Sequence, residues 1–275
     1  MRAGNTEFEL NAGKVYIMGV VNITPDSFSD GGQYNSPERM LKHVEELIRA
    51  GADIIDIGAE STRPGAEPMS SSEEAEKIHS AVSIMRKYFD LPVSVDSYRS
   101  STIRAALDAG ADIINDVWGL RYGELNGEDD DMAGVAAEYG VPVVITHNGA
   151  HGPAEDITGL VMEELEKSVE LALSAGVRGE NIILDPGIGF HKTREENLKL
   201  LKELPRLKEC GYPLLLGASR KSVIGDTLHL PVDQREEATL VTTILAAEAG
   251  FDFVRVHDVE KNRRALDMFR AVKGA

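Results

Sequence analysis

The chain of 275 residues has a single cysteine, Cys210, so it cannot close an internal disulfide and owes nothing to an oxidising compartment. No apolar stretch approaches the roughly 18 residues that a membrane-spanning helix needs. The opening segment carries Arg2, Glu7 and Glu9 and lacks a signal-peptide core. Basic residues are scarce, 29 against 46 acidic ones, for a formal charge of −17. That balance argues against a protein gripping nucleic acid over a broad face, and an anionic small molecule would need its own local basic pocket. These absences lead to the expectation of a cytoplasmic protein with no nucleic-acid and no membrane partner. At 42% hydrophobic and 27% charged, the chain can bury a sizeable core, which argues against wholesale disorder.

What is present is a repeated phrase. Ala50-Gly51-Ala52-Asp53-Ile54-Ile55 returns as Ala109-Gly110-Ala111-Asp112-Ile113-Ile114, and loosely as Ala249-Gly250-Phe251-Asp252-Phe253-Val254. A glycine closes each helix-like stretch, as a left-handed terminal residue requires, and a short apolar run follows. Eight such runs occupy residues 15–22, 53–59, 92–97, 112–117, 141–147, 181–186, 213–218 and 252–257. Their Val, Ile and Leu content fits strands buried on both faces of a parallel sheet. Helical periodicity fills segments such as 38–50, 73–88, 162–175 and 195–209, and Ser70-x-x-Glu73, Thr193-x-x-Glu196 and Asp233-x-x-Glu236 read as capping boxes. The pattern predicts an α/β fold, one (β/α)8 TIM barrel over residues 1–275, with a small hairpin over 8–14 closing its bottom. An open doubly wound sheet is the alternative, but no G-x-G-x-x-G follows the first strand.

A barrel does its chemistry at the C-terminal ends of its strands. Those ends are polar throughout: Asn22; Asp56 leading to Glu60; Asp96; Asn115 and Asp116; His147 and Asn148; Asp185; Ser219-Arg220-Lys221-Ser222; Arg255, His257 and Asp258. Charges at a barrel mouth are costly to desolvate without partners or a ligand. Asp96, Asn115, Asp185 and Lys221 suit a flat heterocycle with an amino-amide edge. Asn22, Arg63, Arg255 and His257 suit a phosphate group with a bridging hard cation. A salt bridge to Asp56 or another strand-end carboxylate is the alternative role for Arg255, and a Schiff base that for Lys221. Long Pro-, Gly- and Ser-rich loops after strands one and two read as lids.

The segment Met18-Gly19-Val20-Val21-Asn22-Ile23-Thr24-Pro25-Asp26-Ser27-Phe28-Ser29-Asp30-Gly31-Gly32 resembles the first signature of the dihydropteroate synthase family. Asp53-Ile54-Ile55-Asp56-Ile57-Gly58-Ala59-Glu60-Ser61-Thr62-Arg63-Pro64-Gly65 resembles the second. Val95-Asp96-Ser97, Ile114-Asn115-Asp116-Val117, Leu184-Asp185-Pro186-Gly187-Ile188-Gly189-Phe190, Ser219-Arg220-Lys221-Ser222 and Arg255-Val256-His257-Asp258-Val259 continue the match in order.

The resemblance implies a transferase of folate biosynthesis, and a sulfonamide target, that joins 4-aminobenzoate to (7,8-dihydropterin-6-yl)methyl diphosphate. It implies that Asp96, Asn115, Asp185 and Lys221 hold the pterin between Val20 and Val117. Asn22, Arg255 and His257 would hold the diphosphate with Mg²⁺ on Asn22, helped by Arg63 and Asp30; Asp30, Arg63, Lys221 and Arg255 would be catalytic. Phe28, Thr62, Pro64, Phe190 and Ser222 would form the aminobenzoate site. A homodimer through helices over 236–249 and 260–272 is implied as well.

Two positions depart from the pattern of many relatives. Thr146 and Asn148, rather than Met, flank His147, and His191 stands where Gly is common. His151, in a glycine-rich loop, is expected in solvent. A corrinoid methyltransferase-like protein would share the pterin carboxylates without needing Ser-Thr-Arg-Pro-Gly or Ser-Arg-Lys-Ser, and a non-catalytic pterin binder would not need a leaving-group site.

Overall fold

A computed structural model describes residues 1–23, 36–59, 69–128, 130–152 and 154–275. Among these, eight parallel strands form the main sheet: β3 (Tyr16–Asn22), β4 (Ile54–Gly58), β5 (Val93–Asp96), β6 (Ile113–Asp116), β7 (Val143–Thr146), β8 (Ile182–Asp185), β9 (Leu215–Leu216) and β10 (Phe253–Val256). Their order is β8-β7-β6-β5-β4-β3-β10-β9. A parallel bridge between Leu184 and Leu214 joins the two ends of that order, with Leu184 N–H donating to the Pro213 carbonyl at 2.9 Å. The sheet is therefore a closed barrel, as the eightfold rhythm predicts.

Helices α1 (Ser36–Arg49), α2 (Ser71–Met85), α3 (Ser100–Asp108), α4 (Tyr122–Asn126), α5 (Met132–Tyr139), α6 (Ile157–Ala175), α7 (Arg194–Lys202), α8 (Ser222–Leu228), α9 (Glu236–Glu248) and α10 (Val259–Lys273) alternate with the strands. Ser70 and Thr193 cap α2 and α7 in reciprocal capping boxes with Glu73 and Glu196. The third expected box does not form: Arg235, not Asp233, precedes α9 and makes no side-chain cap. The helical stretch expected over 195–209 breaks after Lys202, and Leu204–Cys210 continues as a 3-10 helix with Pro205 in its first turn.

Strand alternation divides the core in two. Ile17, Ile55, Val95, Ile114, Ile145 and Leu184 face outward and pack under the helices. Met18, Ile54, Ile113, Val144, Ile183, Leu215 and Phe253 fill the barrel interior. The hairpin lies earlier than residues 8–14: β1 (Arg2–Ala3) pairs antiparallel with β2 (Thr6–Glu7), and Phe8 follows as the bottom plug. Phe8 stands edge-on to Tyr16 and Phe253, with ring centroids 4.8 and 5.7 Å away.

Candidate active site

Two residues further along each strand, the same inward parity places a polar ring above this apolar plug. Ile54 gives way to Asp56, Ser94 to Asp96, Ile113 to Asn115, Val144 to Thr146, Ile183 to Asp185, Leu215 to Gly217 and Phe253 to Arg255, while Met18 is followed by Val20. Register makes neighbours of Gly58 and Asp96, of Asp96 and Asn115, and of Thr146 and Asp185. The site is a consequence of strand period and closure rather than of loop conformation.

Arg255 is the hub. Its Nε donates to Asp56 Oδ2 at 2.6 Å and its Nη2 to Asp96 Oδ2 at 2.7 Å, and Asn115 Nδ2 donates to the same Asp56 oxygen at 3.2 Å. Asp56 has no exposed surface, and its Oδ1 is buried with no hydrogen-bond partner. Arg255 thus makes the strand-end salt bridge that the sequence left as an alternative, while its side chain remains 22% exposed at the mouth. Burial raises Asp96 to about 6, against the opposing pull of Arg255.

Asp185 and Lys221 form the other half of the ring. Burial raises the Asp185 carboxyl, opposed by Lys221 and by the Gly187 N–H, which donates to its Oδ1 at 2.7 Å. Burial lowers Lys221 to about 8, although Asp185 and Asp96 both favour its charge. Its ammonium donates to the Ile188 carbonyl and sits 4.3 Å from the Phe190 ring centroid. That lysine is engaged as a cation, not prepared as an amine nucleophile.

Other expected residues sort clearly. His257, pushed down to about 4 by burial and by Arg220 and Arg255, is neutral near pH 7 and shares a 2.9 Å hydrogen bond with Ser219 Oγ. It offers a hydrogen bond rather than a charge. Asn22 is exposed at the end of β3, Val20 is buried, and Ser222 is exposed at the start of α8. Val117 and Phe190 are half-buried. Asp116 points away from the barrel and accepts from the Trp118 and Leu120 N–H groups at 2.8 and 2.6 Å; burial raises it to about 7. Asp258 caps α10. Phe28, Asp30, Thr62, Arg63 and Pro64 lie outside the described residues.

Sequence reasoning missed the clamp beneath Phe190. Lys192 Nζ lies 2.9 Å from His147 Nδ1 and donates to the Gly187 and Phe190 carbonyls at 2.9 and 3.1 Å. Gly187, at φ +68°, packs against the His147 carbonyl so closely that no side chain fits there. The turn carrying Asp185, Ile188 and Phe190 is thereby tied to the end of β7. His151, expected in solvent, packs beside His147 with ring centroids 6.4 Å apart and its Nε2 buried. His191 adopts φ +45°, the left-handed geometry in which the glycine of many relatives is at ease.

Burial, reinforced by Lys221, lowers Lys192 to about 7 from 10.5. Below pH 7 the group is charged in both folded and unfolded chains. Between pH 7 and 10.5 the unfolded chain holds the proton that the folded chain has shed, so this group makes stability rise with pH. The unfolding free energy of the wild type, minus that of Lys192→Met, is expected to increase across this window in chemical denaturation. A difference that stays flat would remove the assignment.

A closed (β/α)8 barrel with a half-buried network of carboxylates, an arginine and a lysine at its strand ends defines a barrel enzyme that takes a polar small molecule at its mouth. The sequence profile of the family described as pterin binding enzyme matches residues 18–257. The chain is 47% identical to the dihydropteroate synthase of Clostridium beijerinckii over 269 residues, 98% of this chain and 97% of that one. The structure of dihydropteroate synthase from Clostridium difficile in the presence of pteroic acid superposes with a TM-score of 0.88 at 41% identity, covering 97% and 99% of the two chains. That of Xanthomonas albilineans dihydropteroate synthase with 4-aminobenzoic acid does so with a TM-score of 0.85 at 38% identity, covering 95% and 94%. The chain belongs to the pterin binding enzyme family, among its dihydropteroate synthases.

Proposed function

We propose that this chain joins 4-aminobenzoate to (7,8-dihydropterin-6-yl)methyl diphosphate, forming 7,8-dihydropteroate and releasing diphosphate in tetrahydrofolate biosynthesis. The observation that carries this reading is the convergence of Asp96, Asn115, Asp185, Lys221 and Arg255 on one ring above a sealed apolar plug. Asp185 and Asn115 accept from and donate to the amino-amide edge of the pterin, Lys221 donates to a ring nitrogen or carbonyl, and Val20 and Val117 flank the ring. Arg255, Asn22 and His257 receive the diphosphate at the rim, Arg255 and His257 by donating hydrogen bonds.

Mg²⁺ fits these residues in one form. Asn22 offers one exposed amide oxygen at the strand end, and among the described residues no group of three His, Cys, Asp or Glu side chains forms a metal cage. Mg²⁺ keeps several waters and takes one or two protein oxygens beside substrate phosphates, so Asn22 would hold it together with the diphosphate. When bound, the ion neutralises charge on the leaving group.

Departure of diphosphate leaves positive charge that the dihydropterin ring delocalises, and Asp96 and Asp185 lie where carboxylates stabilise it. The neutral aniline nitrogen then attacks the exocyclic carbon and loses a proton. No protein nucleophile is required. Phe190 and Ser222 border the aminobenzoate site, with Phe28, Thr62 and Pro64 contributed by the loops; Asp30 and Arg63 act on the diphosphate. A sulfonamide, shaped like 4-aminobenzoate, competes there.

Neither rival function accounts for the full set. A corrinoid methyltransferase has no use for the Ser-Arg-Lys-Ser run, nor a storage protein for a leaving-group site. Val241 and Leu245 on α9, and Met268 and Val272 on α10, are exposed, which supports a homodimer through those helices. No helix among the described residues is long and apolar enough to cross a membrane, which is compatible with a cytoplasmic location. The function is tested by following diphosphate release and 7,8-dihydropteroate formation together. Both should require both substrates in equal amounts, and diphosphate release that ignores 4-aminobenzoate would contradict the reading.

Gly217 tests the pterin slot from its wall. A Cβ there would lie 3.1 Å from Asp185 Oδ2 and 4.0 Å from Lys221 Nζ. Overpacking of this kind costs about 1–3 kcal/mol of fold stability, so Gly217→Ala should melt a few degrees below the wild type. By displacing the Asp185 carboxylate it should also weaken pterin binding about tenfold, the loss of one hydrogen bond. Unchanged calorimetric affinity would place the pterin elsewhere.

A further inference from the structure

The turn that carries Ser219 to Ser222 out of the barrel is poorly secured by its own sequence. β9 before it spans two residues, Arg220 stands at φ +58°, and Lys221 enters α8 without a side-chain cap. A left-handed residue other than glycine is disfavoured and persists only where its surroundings impose it. Yet this turn has to aim two groups to different parts of the mouth. Ser219 Oγ meets His257 Nδ1 at 2.9 Å, and the Lys221 ammonium donates to the Ile188 carbonyl beside Phe190.

The hold on the turn comes from the start of α9. Arg235 Nη1 donates to the Arg220 carbonyl at 3.0 Å and to the Lys221 carbonyl at 3.2 Å. These carbonyls belong to the two peptide planes that flank the Lys221 Cα. Holding both planes fixes the direction in which the lysine side chain leaves the backbone. Arg235 Nε donates to the Leu230 carbonyl at 3.0 Å, which ties the same guanidinium to the chain leaving α8. Buried Thr239 and Glu236 complete the grip: Thr239 Oγ1 accepts from the Arg220 N–H at 3.2 Å, and Glu236 Oε2 accepts from Arg220 Nε at 3.1 Å.

Gly225 makes room for this arrangement. It is buried within α8, and a Cβ there would overlap the Arg235 guanidinium. Its helical backbone would suit alanine, which helices favour over glycine, so the passing guanidinium is what requires glycine.

On the pterin reading of Lys221, we infer that Arg235 is a positioning residue. By holding both peptide planes around Lys221 it keeps that ammonium on the pterin, and it acts from outside the ring, through the notch at Gly225. Arg235 touches no group of the ring other than this backbone, so its effect on the heterocycle passes through Lys221.

Two substitutions reach the contact from opposite sides. Arg235→Met keeps the stem and removes the donors, whereas Gly225→Ala leaves Arg235 in the chain and displaces its guanidinium. Calorimetry of (7,8-dihydropterin-6-yl)methyl diphosphate with the full chain should show about tenfold weaker binding in each. The double variant should bind no more weakly than Arg235→Met and melt above it, because alanine at 225 then meets no guanidinium and favours the helix. Lys221→Met supplies the control that a merely structural role would not satisfy. Alone it should weaken binding at least about tenfold, and adding Arg235→Met should cost no more than about a further twofold. If Arg235→Met does not fold, Gly225→Ala in the Lys221→Met background reads the same coupling. Wild-type affinity in Arg235→Met or Gly225→Ala would overturn the inference, as would a full tenfold loss added to that of Lys221→Met. Wild-type affinity in Lys221→Met would refute the pterin reading itself, and the inference with it.

Discussion

Arg255→Ala is expected to cut dihydropteroate formation by about 10²–10³-fold, the scale of losing one charge-stabilising donor at a reacting centre. The same change should destabilise the fold by about 3–5 kcal/mol, because it removes the guanidinium that pairs with the fully buried Asp56 and leaves that side chain without it. The two losses have different origins and separate experimentally. Arg255→Met combined with Asp56→Leu removes the Arg255–Asp56 pair, whose carboxylate is fully buried, leaving the partly exposed Asp96, and should recover much of the stability, while turnover stays as low as in Arg255→Ala. Denaturation curves and steady-state rates on the same three proteins provide the check. Recovery of turnover in the double variant would show that Arg255 serves only the fold.

Asp185→Asn should do the reverse. The amide keeps the size of the side chain and an oxygen for the Gly187 N–H, and it relieves burial of a carboxylate whose pKa is already raised. Thermal stability should be equal to or above that of the wild type. Pterin binding loses a charge-assisted hydrogen bond of about 1.5–3 kcal/mol, a weakening of roughly 10–150-fold by calorimetry. Equal affinity in the two proteins would count against the pterin assignment. The pair of variants thus separates the two proposed roles, that of Arg255 in both fold and leaving group and that of Asp185 in reading the heterocycle.

Much of this site is written in local sequence. Val- and Ile-rich runs mark the strands, and a glycine-closed helical stretch precedes six of the eight, because helix ends and doubly buried strands have distinct local requirements. A polar residue at the end of each run marks the mouth. What local sequence does not carry is which polar residue faces which. Arg255 meets Asp56 because closure sets β10 beside β3, one strand away from β4, and strand parity turns both side chains inward. Asp116 looks equally suited to the site, yet the same parity turns it outward to cap its own turn. Lys192 reaches His147 across 45 residues of chain, a contact with no short-range signature. The hairpin lies before residues 8–14 for a related reason: Phe8, which plugs the barrel, follows the turn instead of forming it.

A crystal structure with pteroic acid tests most directly whether the strand-end ring grips the pterin. The ring's amino-amide edge should lie within hydrogen-bonding distance of Asp185 and Asn115, with Lys221 on the same heterocycle and the benzoate directed past Phe190 toward Ser222. Pteroic acid bound outside the barrel, with Asp185, Asn115 and Lys221 still contacting only protein, would contradict it.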